Sequence, residues 1–308
     1  MSGSSCLACD GAVALPPAIA GVDRLHAVNG TFEVAICRAC GSGLTLPPAS
    51  AGELAPFYPQ EYGAYGQSLH GLAALISVPV RRFHTWRTFR IKPLRVIPGL
   101  RAGRALDVGC GAGYLGERLI GRGWRVAGVE PDARACERAR EVGVDARHGT
   151  LADVELEPDA YDLVIFRHSL EHTTDPLGDL RKVARALRPG GTLLISVPNF
   201  ASRWRRAFGS RWFPLDLPRH RTHFTPEGMR RALEQAELRA TDISHASISI
   251  SLPASIQYAL AGRCLFPGGL SLRIAAGISG LLLPLTALLD RALGTGDELN
   301  AVAVRPGR

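Results

Sequence analysis

The middle of the chain alternates between short apolar runs and longer amphipathic stretches. Apolar runs at residues 105–108, 125–129, 163–166 and 192–197 predict buried β-strands. The first run is followed, after a glycine-rich loop, by a helical pattern from Tyr114 to Ile120. Strands that alternate with helices predict an α/β fold with a doubly wound parallel sheet, in which ligands bind at the carboxyl ends of the strands.

The C-terminal part adds two expected strands, near residues 239–250 and 300–305, separated by an apolar insert at about 252–296. Isoleucine and leucine recur in the insert at helical spacing. Its longest uncharged run, between Arg273 and Asp290, has sixteen residues, which is below the about 18 of a membrane-spanning helix. The insert is interpreted as a core or dimer helix, or as an interfacial membrane anchor or a hydrophobic acceptor channel.

Two C-x2-C motifs mark the N-terminal residues 1–50, which we call the cysteine module. Cys6 and Cys9 form the first pair, and Cys37 and Cys40 form the second. Four thiolates at this spacing predict a zinc ribbon with a closed tetrahedral zinc shell, which makes the metal structural. Incidental or redox-active pairs are the alternative. A module of this size needs such a crosslink because its own core is small.

Charge narrows the set of partners. The net charge is +8 and the isoelectric point is about 9.4, which favours phosphates, nucleotide-sugars, anionic lipids or nucleic acid. Residues 51–100 predict a basic helical connector, which is either a solvated face or a surface for phosphates or membrane. The N-terminus lacks the pattern of a signal peptide, so we expect a cytoplasmic protein, with peripheral contact at the inner membrane face if the insert binds lipid.

The loop after the first strand contains the main candidate for ligand binding. Asp107 ends the strand, and glycines follow at 109, 111 and 113. Glycines allow positive φ and close approach of a ligand, and the next helix begins with free N–H groups. Asp107 would repel a pyrophosphate and attract a cation. Glu130, at the end of the second strand, is placed to accept both hydroxyls of a ribose.

These residues resemble the motifs of class I S-adenosylmethionine-dependent methyltransferases. Residues 106–113 resemble the first motif, 128–132 the second, 161–172 the fourth strand with its active-site end, and 187–199 the turn and fifth strand. The resemblance extends from about Arg101 to the C-terminus. It implies a Rossmann-like doubly wound sheet with a C-terminal antiparallel strand.

The resemblance also implies where S-adenosylmethionine binds. Asp107 would face the methionine ammonium group, and Glu130 would hold the ribose. The loop residues that would pass beneath the cofactor are Gly109, Cys110, Gly111 and Gly113. Many members place an aspartate after the third strand to bind the adenine, but this chain has His148-Gly-Thr-Leu-Ala-Asp153 there. Leu151 would pack on the adenine, and Asp153 is an alternative partner.

Four histidines are candidates for the proton removal that methylation of oxygen or carbon requires. His168 follows the fourth strand, and His172 lies four residues further, next to Glu171. The alternative for Glu171 and His172 is a purely orienting role in the loop. His220 and His223 lie in the polar run 216–227, which resembles a lid of related enzymes; their alternative role is to anchor that loop by hydrogen bonds.

The combination of cysteine module, cofactor motifs and lid resembles bacterial methyltransferases of sugar, polysaccharide and natural-product pathways, with quinone O-methyltransferases as relatives. It implies a small-molecule acceptor or a glycan or lipid-linked precursor, methylated at oxygen or carbon. An RNA methyltransferase that grips nucleic acid with the ribbon and basic patches is the alternative, and a binding protein on a degenerate fold is a third. Nucleic acid is disfavoured because residues 166–169 lack the Asn-Pro-Pro-aromatic tetrad of amino-group methylases. The complete cofactor motif argues against the third.

Overall fold

The computed structural model describes the chain in five segments, residues 5–59, 101–248, 250–264, 288–290 and 296–307. Most of the expected connector and the greater part of the apolar insert lie outside the described residues.

The strands are β1 (Ile19–Gly21), β2 (Phe32–Ile36), β3 (Gly43–Leu46), β4 (Arg104–Val108), β5 (Arg125–Glu130), β6 (Asp145–His148), β7 (Tyr161–Arg167), β8 (Leu187–Pro198), β9 (Thr222–His223), β10 (Arg239–Ala246) and β11 (Glu298–Val304). The α-helices are α1 (Ala51–Leu54), α2 (Tyr114–Ile120), α3 (Ala133–Glu141), α4 (Pro176–Ala186), α5 (Arg203–Phe208), α6 (Pro226–Gln235) and α7 (Ser251–Ala261). Short 3-10 helices span Ala55–Phe57, Leu170–His172, Gly209–Arg211 and Phe213–Leu215.

Seven strands form the main sheet in the order β10-β11-β8-β7-β4-β5-β6. The five strands from β4 to β8 pair in parallel, and β11 runs antiparallel to both β8 and β10. The expected doubly wound sheet with a C-terminal antiparallel strand is therefore confirmed. β7 is buried from Tyr161 to Phe166, which explains its continuous apolar run, since helices cover both faces of a parallel sheet.

Polar side chains cap the N-termini of α4 and α6, two helices near the candidate site. Asp175 accepts a hydrogen bond from the Gly178 amide at 2.9 Å at the start of α4. Thr225 accepts one from the Gly228 amide at 3.0 Å at the start of α6. Each cap is followed by a proline at the first helical position, which fits because proline lacks the N–H that a first turn leaves unpaired. The lid therefore ends at Thr225, and we use "the lid" for residues 216–225.

A second, four-stranded sheet joins the cysteine module to the lid. Its order is β1-β2-β3-β9, and β9 comes from the lid. Gly43 and Leu44 pair antiparallel with His223 and Thr222. A shared apolar cluster reinforces the joint; it contains Phe32, Val34, Leu54, Phe57, Phe200, Trp212, Leu215 and Leu217. The cysteine module is thus packed onto the main sheet through the lid.

Part of the apolar insert forms α7, an eleven-residue helix. Its Tyr258 is buried, whereas Leu260 is 85% exposed. Among the described residues, no helix is both long and apolar enough to cross a membrane.

Candidate active site

The glycine-rich loop turns sharply between β4 and α2. Gly109 and Gly113 have φ angles of 75° and 79°, in the left-handed region that glycine tolerates. A Cβ at Gly113 would lie 2.9 Å from the Cα of Ala139, and one at Gly109 would lie 2.6 Å from the Ser169 side chain. The loop therefore has no room for larger residues on its inner side, as the sequence predicts for a close backbone approach.

Glu130 connects the second strand to this loop. One carboxylate oxygen accepts the Gly111 amide at 2.8 Å, and the other accepts the Asp132 amide at 2.9 Å. These bonds fix the carboxylate at the end of β5 and leave a lone pair on each oxygen. Burial raises the pKa of Glu130, and the two amides oppose that shift.

Asp107 is the buried carboxyl group at the end of β4, with 2% exposure. Burial raises its pKa to about 7, although the charge of Arg167 lowers it. A cation placed against this carboxyl would favour its ionised form. The environment thus suits the ammonium group that the sequence predicts there.

The loop after β6 places Leu151 in the core, 3% exposed. The Asp153 carboxylate accepts hydrogen bonds from the amide and hydroxyl of Thr150, at 2.8 and 2.7 Å. Asp153 therefore caps its own turn, which makes it the weaker candidate for the adenine. The roles of Leu151, Cys110 and the other cofactor residues remain predictions.

His168 follows β7 and lies between two carboxylates. Its Nδ1 is 3.5 Å from Glu171 Oε1, and its Nε2 is 3.4 Å from Glu298 Oε2. Burial lowers its pKa, but the two carboxylates together raise it to about 9. Its φ of 51° is also unusual for a residue other than glycine. At neutral pH this side chain is a cation and a proton donor.

His172 ends the 3-10 helix after β7. Burial, with the nearby His220, lowers its pKa to about 4, so the ring is neutral at pH 7. Its Nδ1 lies 3.1 Å from the Arg219 carbonyl oxygen and 3.0 Å from the Tyr58 hydroxyl. Because a carbonyl only accepts, Nδ1 carries the hydrogen and Nε2 keeps the lone pair.

His220 and His223 are both buried in the lid. The His220 Nδ1 donates to the Pro214 carbonyl at 2.9 Å. The Thr45 hydroxyl donates to the His220 carbonyl at 2.6 Å, so it accepts from His223 Nε2 at 2.9 Å. Burial, followed by the charge of His220, lowers the pKa of His223 to about 3. His223 is thus a neutral ring bonded to the cysteine module.

The structure brings His172, His220 and His223 together beside the carboxyl ends of the strands. The ring centroids of His172 and His220 are 4.6 Å apart, and those of His220 and His223 are 6.4 Å apart. His168 joins them through Glu171, which faces His168 and His220. A carboxylate surrounded by imidazoles can orient a base or stabilise its protonated form.

Sequence reasoning missed the residues that hold this cluster in place. Arg219 is completely buried and pairs with Asp23 at 2.7 Å and Asp216 at 2.6 Å. Its guanidinium also donates to the Phe57 carbonyl. Asp23 and Phe57 come from the N-terminal part of the chain, so no local pattern near Arg219 indicates that it is buried.

The four cysteines converge as the sequence predicts. Their sulfur atoms all lie within 4.8 Å of one another; Cys6 is 3.7 Å from Cys40, and Cys9 is 3.6 Å from Cys37. Zinc–sulfur bonds of about 2.3 Å in a tetrahedron separate the sulfurs by about 3.8 Å. The donor set therefore fits a zinc ion, which would crosslink the two knuckles and leave no position for a reactant.

Comparison with known proteins decides the family. A family model described as "Methyltransferase domain" matches residues 81–243. The chain belongs to this methyltransferase family. Among the relatives of this methyltransferase is the ubiquinone biosynthesis O-methyltransferase of Aeromonas salmonicida, 35% identical over 162 residues, which cover 47% of this chain and 67% of that protein. The enzyme of the same name from Xanthomonas campestris is 31% identical over 182 residues, covering 54% and 75%.

Solved structures agree on the fold. An S-adenosylmethionine-dependent methyltransferase of Archaeoglobus fulgidus is 18% identical and superposes with a TM-score of 0.50, covering 76% of this chain and 100% of the other. Together these findings confirm the expected class I fold, and they make this methyltransferase an S-adenosylmethionine-dependent enzyme.

Proposed function

We propose that this methyltransferase transfers a methyl group from S-adenosylmethionine to an oxygen atom of a small, quinone-type acceptor. The observation that carries the proposal is the group of imidazoles, those of His172, His220 and His223, that lies beside Glu171 at the carboxyl edge of the sheet. The names of the two ubiquinone biosynthesis relatives support oxygen as the methylated atom. A sugar or lipid-linked precursor methylated at oxygen or carbon would use the same groups.

Asp107 would bind the ammonium group of the cofactor, and Glu130 would bind its ribose. The loop 109–113 would pass beneath the cofactor. The reaction is an in-line displacement at a sulfonium, so alignment supplies most of the catalysis. An acceptor hydroxyl must also lose its proton.

We assign the base to His172. His168 is already protonated at neutral pH, and the Nε2 of His223 donates to Thr45. His172 is neutral, is more exposed than His220, and has a free lone pair on Nε2. The charge of Glu171 raises the pKa of His172 and would stabilise the imidazolium that forms.

The experiment that tests this proposal follows labelled methyl from S-adenosylmethionine into a cell extract separated into RNA, water-soluble and lipid-extractable fractions. We expect label in the lipid or the water-soluble fraction, in an ether linkage. His172→Gln should lower transfer at least about 100-fold, while His245→Gln, on β10, should not. Label in RNA alone would replace the proposal with the RNA alternative, and equal transfer by His172→Gln would remove the assigned base.

Zinc in the cysteine module and membrane contact by the insert are separate proposals. The sulfur distances support zinc, and protein purified without chelator should contain close to one zinc per chain bound by thiolates. The exposed Leu260 and Ile256 on α7 support lipid contact. Liposome flotation that Leu260→Asp reduces would support it, and an intact protein that does not float would refute it.

A further inference from the structure

Glu171 is a buried carboxylate without hydrogen-bond donors. It is 1% exposed, and in the described part of the chain neither of its oxygens has a hydrogen-bond partner. Three imidazoles surround it, those of His168, His172 and His220. A buried charge needs a cation or a full set of donors, so a missing cation must be sought here.

The His168 ring is one candidate partner, with its Nδ1 3.5 Å from Glu171 Oε1. However, its Nε2 lies 3.4 Å from Glu298. One imidazole therefore lies between two carboxylates, and it leaves both oxygens of Glu171 without a hydrogen bond. The His220 ring does not supply a donor either, because its Nε2 lies 3.9 Å from Glu171 Oε1, which is beyond hydrogen-bond distance.

The groups around Glu171 form a set of metal ligands. A carboxylate oxygen of Glu171 and one ring nitrogen each of His172 and His220 lie within 4.8 Å of one another. His220 bonds Pro214 through Nδ1, which leaves Nε2 as its ligand atom, and this atom lies 3.9 Å from Glu171 Oε1. Ligand atoms at about 2.0–2.2 Å from a tetrahedral metal are about 3.3–3.6 Å apart, so metal binding requires these side chains to move closer together.

The surrounding structure supports this arrangement. Backbone carbonyls fix the tautomers of both imidazoles, as they do around bound metals. Asp216 Oδ2 lies 3.8 Å from His220 Nε2, but the buried Arg219 pairs with that carboxylate, so Asp216 is an outer-shell group. Two imidazoles and one carboxylate leave a coordination position for an oxygen atom, as in catalytic sites.

We propose that Glu171, His172 and His220 bind a divalent first-row transition-metal ion in a second metal site, separate from the four cysteines. The ligand types favour Zn²⁺, Fe²⁺ or Co²⁺ over Mg²⁺ or Ca²⁺, which prefer sets made only of oxygen. An ion bound here would take the Nε2 lone pair of His172, so His172 would then be a ligand and not the base assigned above. The open position would take an oxygen of a hydroxyl or carbonyl group, or a water molecule. The site is assembled from two segments, the turn after β7 and the lid.

Cobalt titration of the full-length protein tests the site. Metal-stripped, reduced protein is titrated with Co²⁺ and followed by absorption, because the cysteine site gives intense sulfur-to-cobalt charge transfer and a nitrogen-oxygen site gives only weak d–d bands. We expect two cobalt ions per chain in the wild type. Glu171→Gln and His220→Gln should each bind the second ion about 100-fold or more weakly, while His245→Gln should bind both.

The cysteine site serves as an internal folding control, because its module packs against the lid. A variant with the normal charge-transfer band and a weakened second site supports the proposal. One thiolate-bound cobalt per chain in the wild type would overturn it, as would a second ion that both variants retain. This test measures binding alone, so it can fail while methyl transfer is confirmed, and the reverse is also true.

Discussion

At the scale of single residues, the two carboxylates of the proposed cofactor site, Glu130 and Asp107, differ in how they are held. Glu130 accepts two backbone amides, so its charge is compensated within the protein. Asp107 has a pKa raised to about 7 mainly by burial, so a positively charged ligand would stabilise its ionised form. Cofactor affinity should therefore depend on Asp107 more through charge than through shape.

Asp107→Asn keeps the shape of the side chain and removes the charge. We expect the affinity for S-adenosylhomocysteine to fall by about 1–3 kcal/mol, which is about 5- to 150-fold. Isothermal titration calorimetry measures this directly. The control is Asp153→Asn, whose carboxylate caps its own turn; equal losses in both variants would contradict the assignment.

The raised pKa of Asp107 also predicts a pH dependence of binding. The carboxyl must lose its proton to meet the cofactor's ammonium group, so affinity should rise with pH through about 7 and level off above 8. A group with this pKa is about 90% protonated at pH 6 and about 10% at pH 8, so we expect binding about tenfold tighter at pH 8. Asp107→Asn should remove this dependence, and a tenfold change that persists in the variant would assign it to another group.

At the scale of elements, the lid depends on the cysteine module for its shape. β9 pairs with β3, and Thr45 bonds to both His220 and His223. Thr225 donates to the Cys40 carbonyl at 2.7 Å, and Gln235 donates to that of Cys9 at 3.1 Å. The module therefore positions the histidines of the lid.

Thr45→Val tests this dependence with little change in volume. It removes the hydroxyl and leaves two buried polar groups unpaired, so we expect a loss of about 1–3 kcal/mol in unfolding free energy. Hydrogen exchange should quicken in the lid, kcat/KM for the acceptor should fall, and S-adenosylhomocysteine affinity should stay the same. Thr241→Val, in an exposed part of β10, is the matched control; equal lid exchange in the two variants would refute the positioning role.

The difference between local sequence patterns and contacts between distant segments explains how far the sequence could predict the structure. Four strands of the main sheet, β4, β5, β7 and β8, are visible in the sequence as apolar runs. Thr225-Pro226 marks the start of α6. β9 has only two residues and a partner 178 positions away, so no local pattern marks it. His168 and His172 flank Glu171 in the sequence, but nothing near it indicates that His220 of the lid also faces it. Arg219 is buried because the fold brings Asp23 to it.

At the scale of the whole molecule, we distinguish two halves. In the half proposed to bind the cofactor, the hydrogen bonds of the glycine-rich loop stay within the main sheet and its helices. In the half proposed to bind the acceptor, the lid bonds directly to the cysteine module, although one apolar cluster runs through both halves. The glycine-rich loop is held by β4, β5 and α2, which all belong to the main sheet and its helices. The lid is held on one side by β3 and on the other by Glu171, whose carbonyl accepts the Arg221 amide at 2.8 Å.

Removal of zinc from the cysteine module should therefore affect the two halves differently, and one experiment can measure both responses. A chelator should release close to one zinc per chain from the thiolates, and hydrogen exchange should then increase at residues 32–46 and in the lid. Residues 104–130 should stay protected, and S-adenosylhomocysteine should bind within about twofold of its original affinity because none of its expected contacts touch the module. Zinc added back should restore the protection. Exchange that rises equally in residues 104–130 would show that the module stabilises the whole fold, and unchanged lid exchange would show that β9 holds its position without it.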